Sequence, residues 1–123
     1  MQQVLFIALG GACGAVARYT VTVACRAAFG DAFPIGTLIV NICGCFLIGL
    51  IATSQWIPEV HHPLIAVGFL GALTTFSTFG YETMTRVHAH QWGIAIINVG
   101  ANLAVGLFAV WLGTMLGKHF GTS

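Results

Sequence analysis

The segment Gly71-Ala72-Leu73-Thr74-Thr75-Phe76-Ser77-Thr78-Phe79 places four hydroxyl side chains and a glycine in the middle of an otherwise apolar run. In hydrocarbon every unpaired polar group costs several kcal/mol, so irregular backbone survives there only where protein or a water-filled path surrounds it. Discontinuous membrane helices of this kind mark ion and substrate sites. The segment therefore predicts a membrane helix broken at its centre, in a chain that moves something small and hydrophilic across a bilayer.

The membrane itself follows from charge. Only 6% of the 123 residues are charged and 58% are hydrophobic, too few charges to solvate a soluble exterior. Crossing about 30 Å of hydrocarbon takes roughly 20 helical residues. On that ruler the chain divides into four spans, about residues 4–28, 35–56, 64–86 and 92–116, forming a single transmembrane domain with no module outside the bilayer. Gly30-Asp31 and Pro34, then Pro58 with His61-His62-Pro63, then His88 to Gln91 punctuate the spans, and turns this short join antiparallel neighbours. The N-terminus lacks a basic stretch and runs straight into a span, unlike a cleaved signal. A net charge of +1 argues against a nucleic-acid partner and leaves membrane lipid as the surroundings. Cys13, Cys25, Cys43 and Cys45 all fall in or beside spans and are expected to pack. Cys43 and Cys45 lie about 200° apart around a helix and would not share a metal easily.

Glycine spacing predicts close helix contacts. Gly10 with Gly14, and Gly113 with Gly117, give small faces four residues apart, while Gly36, Gly44 and Gly49 thin the second span. Four such helices enclose little conduit, so transport would require an oligomer. Lys118 is the one basic residue counted at the N-terminal side, against Arg26 and Arg86 at the other. So small a bias gives weak orientation instructions and allows insertion both ways, hence an antiparallel dual-topology dimer.

Several side chains stand out as candidates for chemistry. Around Thr74 the helix-forming tendency is poor, and a break would free carbonyls near mid-membrane, suited to a hard monovalent cation. The alternative is an unbroken helix whose threonines bond back to the preceding turn. Phe76 and Phe79 share a face, where ring edges would offer an anion weak contacts or the rings would simply pack. Thr37 and Asn41 lie on one face of the second span; Asn98, Asn102 and Gly106 make a polar stripe down the fourth. Such stripes read either as interhelical hydrogen-bond glue or as the lining of a path. Arg18 is deep in the first span and needs water or a partner; Glu82 is near the end of the third. There is no nucleophile–base pair, phosphate loop or metal cluster, so no enzyme is expected.

At these residues the sequence resembles the Fluc family of fluoride channels, also called CrcB, over nearly its whole length. Three motifs carry the likeness: Gly10-Gly11-x-x-Gly14-Ala15-x-x-Arg18-Tyr19, Gly36-Thr37-Leu38-x-Val40-Asn41-x-x-Gly44, and Gly68-Phe69-x-Gly71-x-x-Thr74-Thr75-Phe76-Ser77-Thr78-Phe79. Together, in that order and spacing, they are highly specific. The resemblance implies a multi-pass protein of the bacterial inner membrane, forming an antiparallel homodimer with two fluoride pores beside a central structural sodium ion. By that resemblance main-chain carbonyls of Gly71 and Thr74 hold the sodium, Phe76 and Phe79 flank fluoride, Asn41 is the pore asparagine and Arg18 the vestibule arginine. Thr37 and Glu82 fall at matching polar positions near the pathway, and Ser77 and Thr78 add hydroxyl donors. The fourth span departs from the family, which often has tyrosine and then serine where this chain has Asn98 and Asn102.

The implied role is passive export of fluoride, a small hard ion whose lost water must be replaced by donors that do not trap it. The runner-up is a small dual-topology, proton-coupled multidrug exporter. That mechanism wants a carboxylate near mid-membrane, and the sequence has none before Asp31 and only Glu82, close to a span end, within the third.

Overall fold

The computed structural model describes residues 1–55 and 57–121. Its elements are helical and make four helices long and apolar enough to cross a membrane, Gln2–Phe29, Ile35–Thr53, Glu59–His88 and Trp92–Phe120. The first, α1 (Gln2–Phe29), closes at Gly30, whose φ of 73° is left-handed and whose N–H reaches the Arg26 carbonyl. The second, α2 (Ile35–Thr53), starts after Pro34 and stops where Ser54 turns extended, at ψ 142°. It is thus shorter than the expected run to Trp56, a residue that lies outside the described ones. A Pro58 just beyond keeps the chain from resuming the helix.

The third span is composite. A single turn at Glu59–His61 leads to a wide, π-helical stretch at Pro63–Leu70, then to the short α3 (Gly71–Leu73). Thr74 and Thr75 are extended, and α4 (Phe76–His88) resumes beyond them. The fourth span is α5 (Trp92–Gly100), a π-helical stretch at Ala101–Val105, and α6 (Gly106–Gly121).

The glycine faces act as their spacing predicts. A Cβ on Gly10 or Gly14 would strike the backbone of Leu64 or Phe69, so α1 lies directly on the π-helical stretch of the third span. One on Gly113 or Gly117 would strike the backbone of Phe46 or Leu50, which seats α6 against α2. The small core, Val40, Ile51, Leu70 and Leu73, forms where α2 meets the third span. Few apolar side chains are interior: only Gly10 and Gly14 of α1 are buried. Such an inside-out distribution suits lipid as the surrounding solvent.

Contacts at the two ends settle the up-and-down order. Phe6 stacks on His61, bringing the N-terminus beside the turn between the second and third spans. At the other end Arg86 donates to the Asp31 carbonyl, and Arg26 pairs with the Asp31 carboxylate at 2.6 Å. The turn after α1 and the turn after α4 therefore share that end.

Candidate functional site

The break begins with a helix that continues one residue too few. Thr74 still donates its N–H to the Leu70 carbonyl (3.1 Å), and its hydroxyl bonds back to the same oxygen (2.9 Å). The habit that would preserve a helix is therefore present, yet Thr74 takes ψ 154° and Thr75 takes φ −152°, ψ 117°. Two consecutive β-branched residues favour extended backbone. Thr75 then caps α4, its Oγ1 accepting the Thr78 N–H at 3.2 Å and its hydroxyl donating to Thr78 Oγ1 at 3.0 Å. Ser77 Oγ stands 3.3 Å from Thr75 Oγ1.

Asn41 supplies what the missing turn would have given. Its Oδ1 accepts the Thr75 N–H at 2.8 Å and its Nδ2 donates to the Thr75 carbonyl at 3.3 Å. One amide side chain so replaces the partner that the Thr75 N–H has lost, as buried backbone demands, and adds a second bond to the carbonyl that opens α4. In a continuous α-helix the Gly71 carbonyl would take the Thr75 N–H and the Thr74 carbonyl the Thr78 N–H. Both donors are engaged elsewhere. The carbonyls of Gly71 and Thr74, the pair expected from the sequence, thus lose their regular partners.

Beside the break is a cleft of about 220 Å³ lined by Asn41, Cys45, Thr74, Thr75, Phe76, Phe79, Asn102 and Leu103. The rings of Phe76 and Phe79 stand 5.5 Å apart at 54°. Phe79 is buried, whereas Phe76 is 81% exposed and Ser77 and Gly71 are exposed beside it. A larger groove of about 450 Å³ runs between Phe46 on α2 and Phe108 on α6, but its lining offers no polar group to a hydrophilic ion.

The stripe on the fourth span joins this site. Asn41 Nδ2 also donates to Asn102 Oδ1 (2.9 Å), and Asn102 Nδ2 donates to the carbonyl (2.9 Å) and Oδ1 (3.1 Å) of Asn98. Asn98 is fully buried and its Nδ2 donates to Thr83 Oγ1 at 2.9 Å. Both readings of the stripe meet here, since Asn102 lines the cleft while Asn98 ties α5 to α4 behind it. Thr83 carried no signal in the sequence, because its link to Asn98 crosses a turn between two helices.

The remaining candidates lie apart from the cleft. Thr37, buried on α2, donates to Glu82 Oε1 at 2.9 Å, and the buried Glu82 Oε2 has no hydrogen-bond partner among the described residues. Both line a small polar recess with Arg26 and Asp31. Arg18 is half-buried on α1, roughly 16 Å of helix from Phe29, with no ion pair among the described residues. All four cysteines are free thiols.

The family model described as "CrcB-like protein, Camphor Resistance (CrcB)" matches residues 5–114. A fluoride-specific ion channel FluC of Acidobacterium capsulatum is 48% identical over 94% of this chain and 95% of its own length. The protein of that name from Shewanella woodyi is 47% identical (94% and 96%) and that from Magnetococcus marinus 42% (94% and 98%). With the model spanning most of the chain and relatives this similar along their full length, the chain belongs to the CrcB family.

Proposed function

We propose that this chain is the subunit of a fluoride-selective channel that lets fluoride leave the cell passively, and that it is not an enzyme. The observation that carries the reading is the cleft at the break. There Asn41, the Thr75 cap and the Phe76–Phe79 pair put hydrogen-bond donors and aromatic edges around a space of about 220 Å³. The relatives named as fluoride-specific ion channels support it.

Fluoride reaches the cleft through a wet end marked by Arg18, whose charge attracts anions. Inside, Asn41 replaces part of its water and the positive edges of Phe76 and Phe79 hold it without trapping it, while Ser77 and Thr78 add hydroxyl donors beside the cleft. Asn102 and Asn98 form the polar back of the path, and Thr37 with Glu82 the polar recess beyond Phe79. Conduction needs a second copy to cover the cleft, because Phe76 on its wall is left exposed. The small Lys and Arg bias between the two ends favours antiparallel pairing in a bacterial inner membrane.

The Gly71 and Thr74 carbonyls fit a sodium ion held between two copies. They are uncharged oxygen donors freed by the break, and the backbone at Gly71 is open, its nearest would-be Cβ neighbour being Ala66 O at 3.8 Å. When bound, the ion supplies positive charge that ties the two breaks together. Expression in a bacterium stripped of its own fluoride exporter tests the proposal. The chain should restore growth in fluoride, and failure of well-inserted protein to do so would overturn it.

A further inference from the structure

Asn41, Asn98 and Asn102 are the three asparagines of the chain, and they form one connected hydrogen-bond ladder. Its two ends are backbone groups that leave no choice of direction. The Thr75 N–H only donates, so Asn41 turns Oδ1 to it (2.8 Å) and Nδ2 toward Asn102. The Asn98 carbonyl only accepts, so Asn102 turns Nδ2 to it (2.9 Å) and Oδ1 toward Asn41. Asn98 presents Oδ1 to Asn102 and Nδ2 to Thr83, whose hydroxyl donates to the Phe79 carbonyl at 2.8 Å. From Thr75 N–H to Thr83 the donors that link one residue to the next all run from the break toward Phe79, and both ends assign the amides the same way.

This polarity gives the two N–H groups of Asn41 unequal tasks. One is held by Asn102 Oδ1 at 2.9 Å; the other reaches Thr75 O at a long 3.3 Å. Asn102 has both its N–H groups turned away from Asn41, onto Asn98, and shows Asn41 an oxygen, which repels an anion. Resting on the fluoride reading of the cleft, we propose that Asn102 is a positioning residue that fluoride does not touch. Its Oδ1 occupies one Asn41 N–H so that the weakly engaged one is offered to the ion, and Asn98 keeps Asn102 turned that way. By holding that one N–H, Asn102 limits fluoride to a single contact with Asn41, which helps release the ion.

With three asparagines in the chain, ¹⁵N-asparagine labelling of the full-length protein gives three side-chain amide groups to follow by NMR. In a constant background of saturating sodium, titration with fluoride should move one Asn41 amide proton strongly and leave those of Asn98 and Asn102 in place, while chloride moves none. Shifts at Asn102 as large as at Asn41, or no shift at all in protein that conducts fluoride, would overturn the proposal and leave the channel reading standing. Absence of both shift and flux would overturn the channel reading as well. A second measurement uses Asn102→Leu, which frees the second Asn41 N–H for the ion. Its half-saturating fluoride concentration should fall severalfold together with the maximal flux, a split that mere damage to the fold does not produce. An unchanged or raised half-saturating concentration contradicts the proposal.

Discussion

Gly44 is the point where the break rests on α2, and it allows a quantitative test of how the break is held. A Cβ at Gly44 would collide with Thr74 Cγ2, while Thr74 Cβ behind it would stand at 3.6 Å, an ordinary contact. Gly44→Ala therefore forces one of two responses. Thr74 can rotate about χ1, taking its hydroxyl off the Leu70 carbonyl, 2.9 Å away, at a loss of about 0.5–1.5 kcal/mol. Alternatively the extended segment moves off α2, at the cost of overpacking, about 1–3 kcal/mol. The cheaper response governs, so a loss of about 1 kcal/mol is expected. Thr74→Ser removes Cγ2 and keeps the hydroxyl, so adding it to Gly44→Ala leaves only the 3.6 Å contact. Unfolding of the four proteins of this double-mutant cycle, measured in detergent micelles, should show a favourable coupling of about 1 kcal/mol between the two changes. Fluoride flux should fall in Gly44→Ala and recover in the pair. A neutral Gly44→Ala, or a pair no better than the single change, would refute this account of the contact.

Further outcomes follow from the same geometry. Replacing Phe76 or Phe79 with Ile keeps bulk and removes the ring edge, so fluoride flux should drop about tenfold if the edge contact supplies some 1.4 kcal/mol, with the chain still inserted; unchanged flux in both variants removes the aromatic role. Withdrawing sodium should stop fluoride flux without any sodium current appearing, whereas Thr74→Val, which spares the backbone carbonyl, should leave sodium dependence intact. Reporters fused to the C-terminus should be detected on both faces of the membrane, and a signal confined to one face would contradict a homodimer of oppositely inserted copies.

Much of this molecule is legible in its sequence because the bilayer leaves few choices. Span number follows from apolar length, and the helix contacts at Gly10, Gly14, Gly113 and Gly117 follow from four-residue spacing. The break and its place around Thr74 were visible in the cluster of hydroxyls and β-branched residues, but what holds it open was not. Thr74 keeps helical hydrogen bonds through its N–H and hydroxyl, and extension at Thr75 is secured by Asn41, thirty-four positions away in the chain. The span end at Thr53 depends on a local turn at Ser54 that hydropathy does not register. The asparagine stripe was visible as polar spacing along one helix, yet its direction was not, since that is imposed by the Thr75 N–H from the neighbouring span together with the Asn98 carbonyl. Thr83 shows the same limit: a partner across a helix turn has no periodic signature.

The central claim is that this one chain conducts fluoride and rejects chloride. Purified protein reconstituted into liposomes loaded with both anions, with external fluoride and chloride electrodes recording together, tests it most directly. After addition of a potassium ionophore to relieve the electrical potential, the account predicts rapid release of fluoride with chloride held at the level of protein-free vesicles. Chloride leaving alongside fluoride, or fluoride held in vesicles that demonstrably contain the protein, would contradict it.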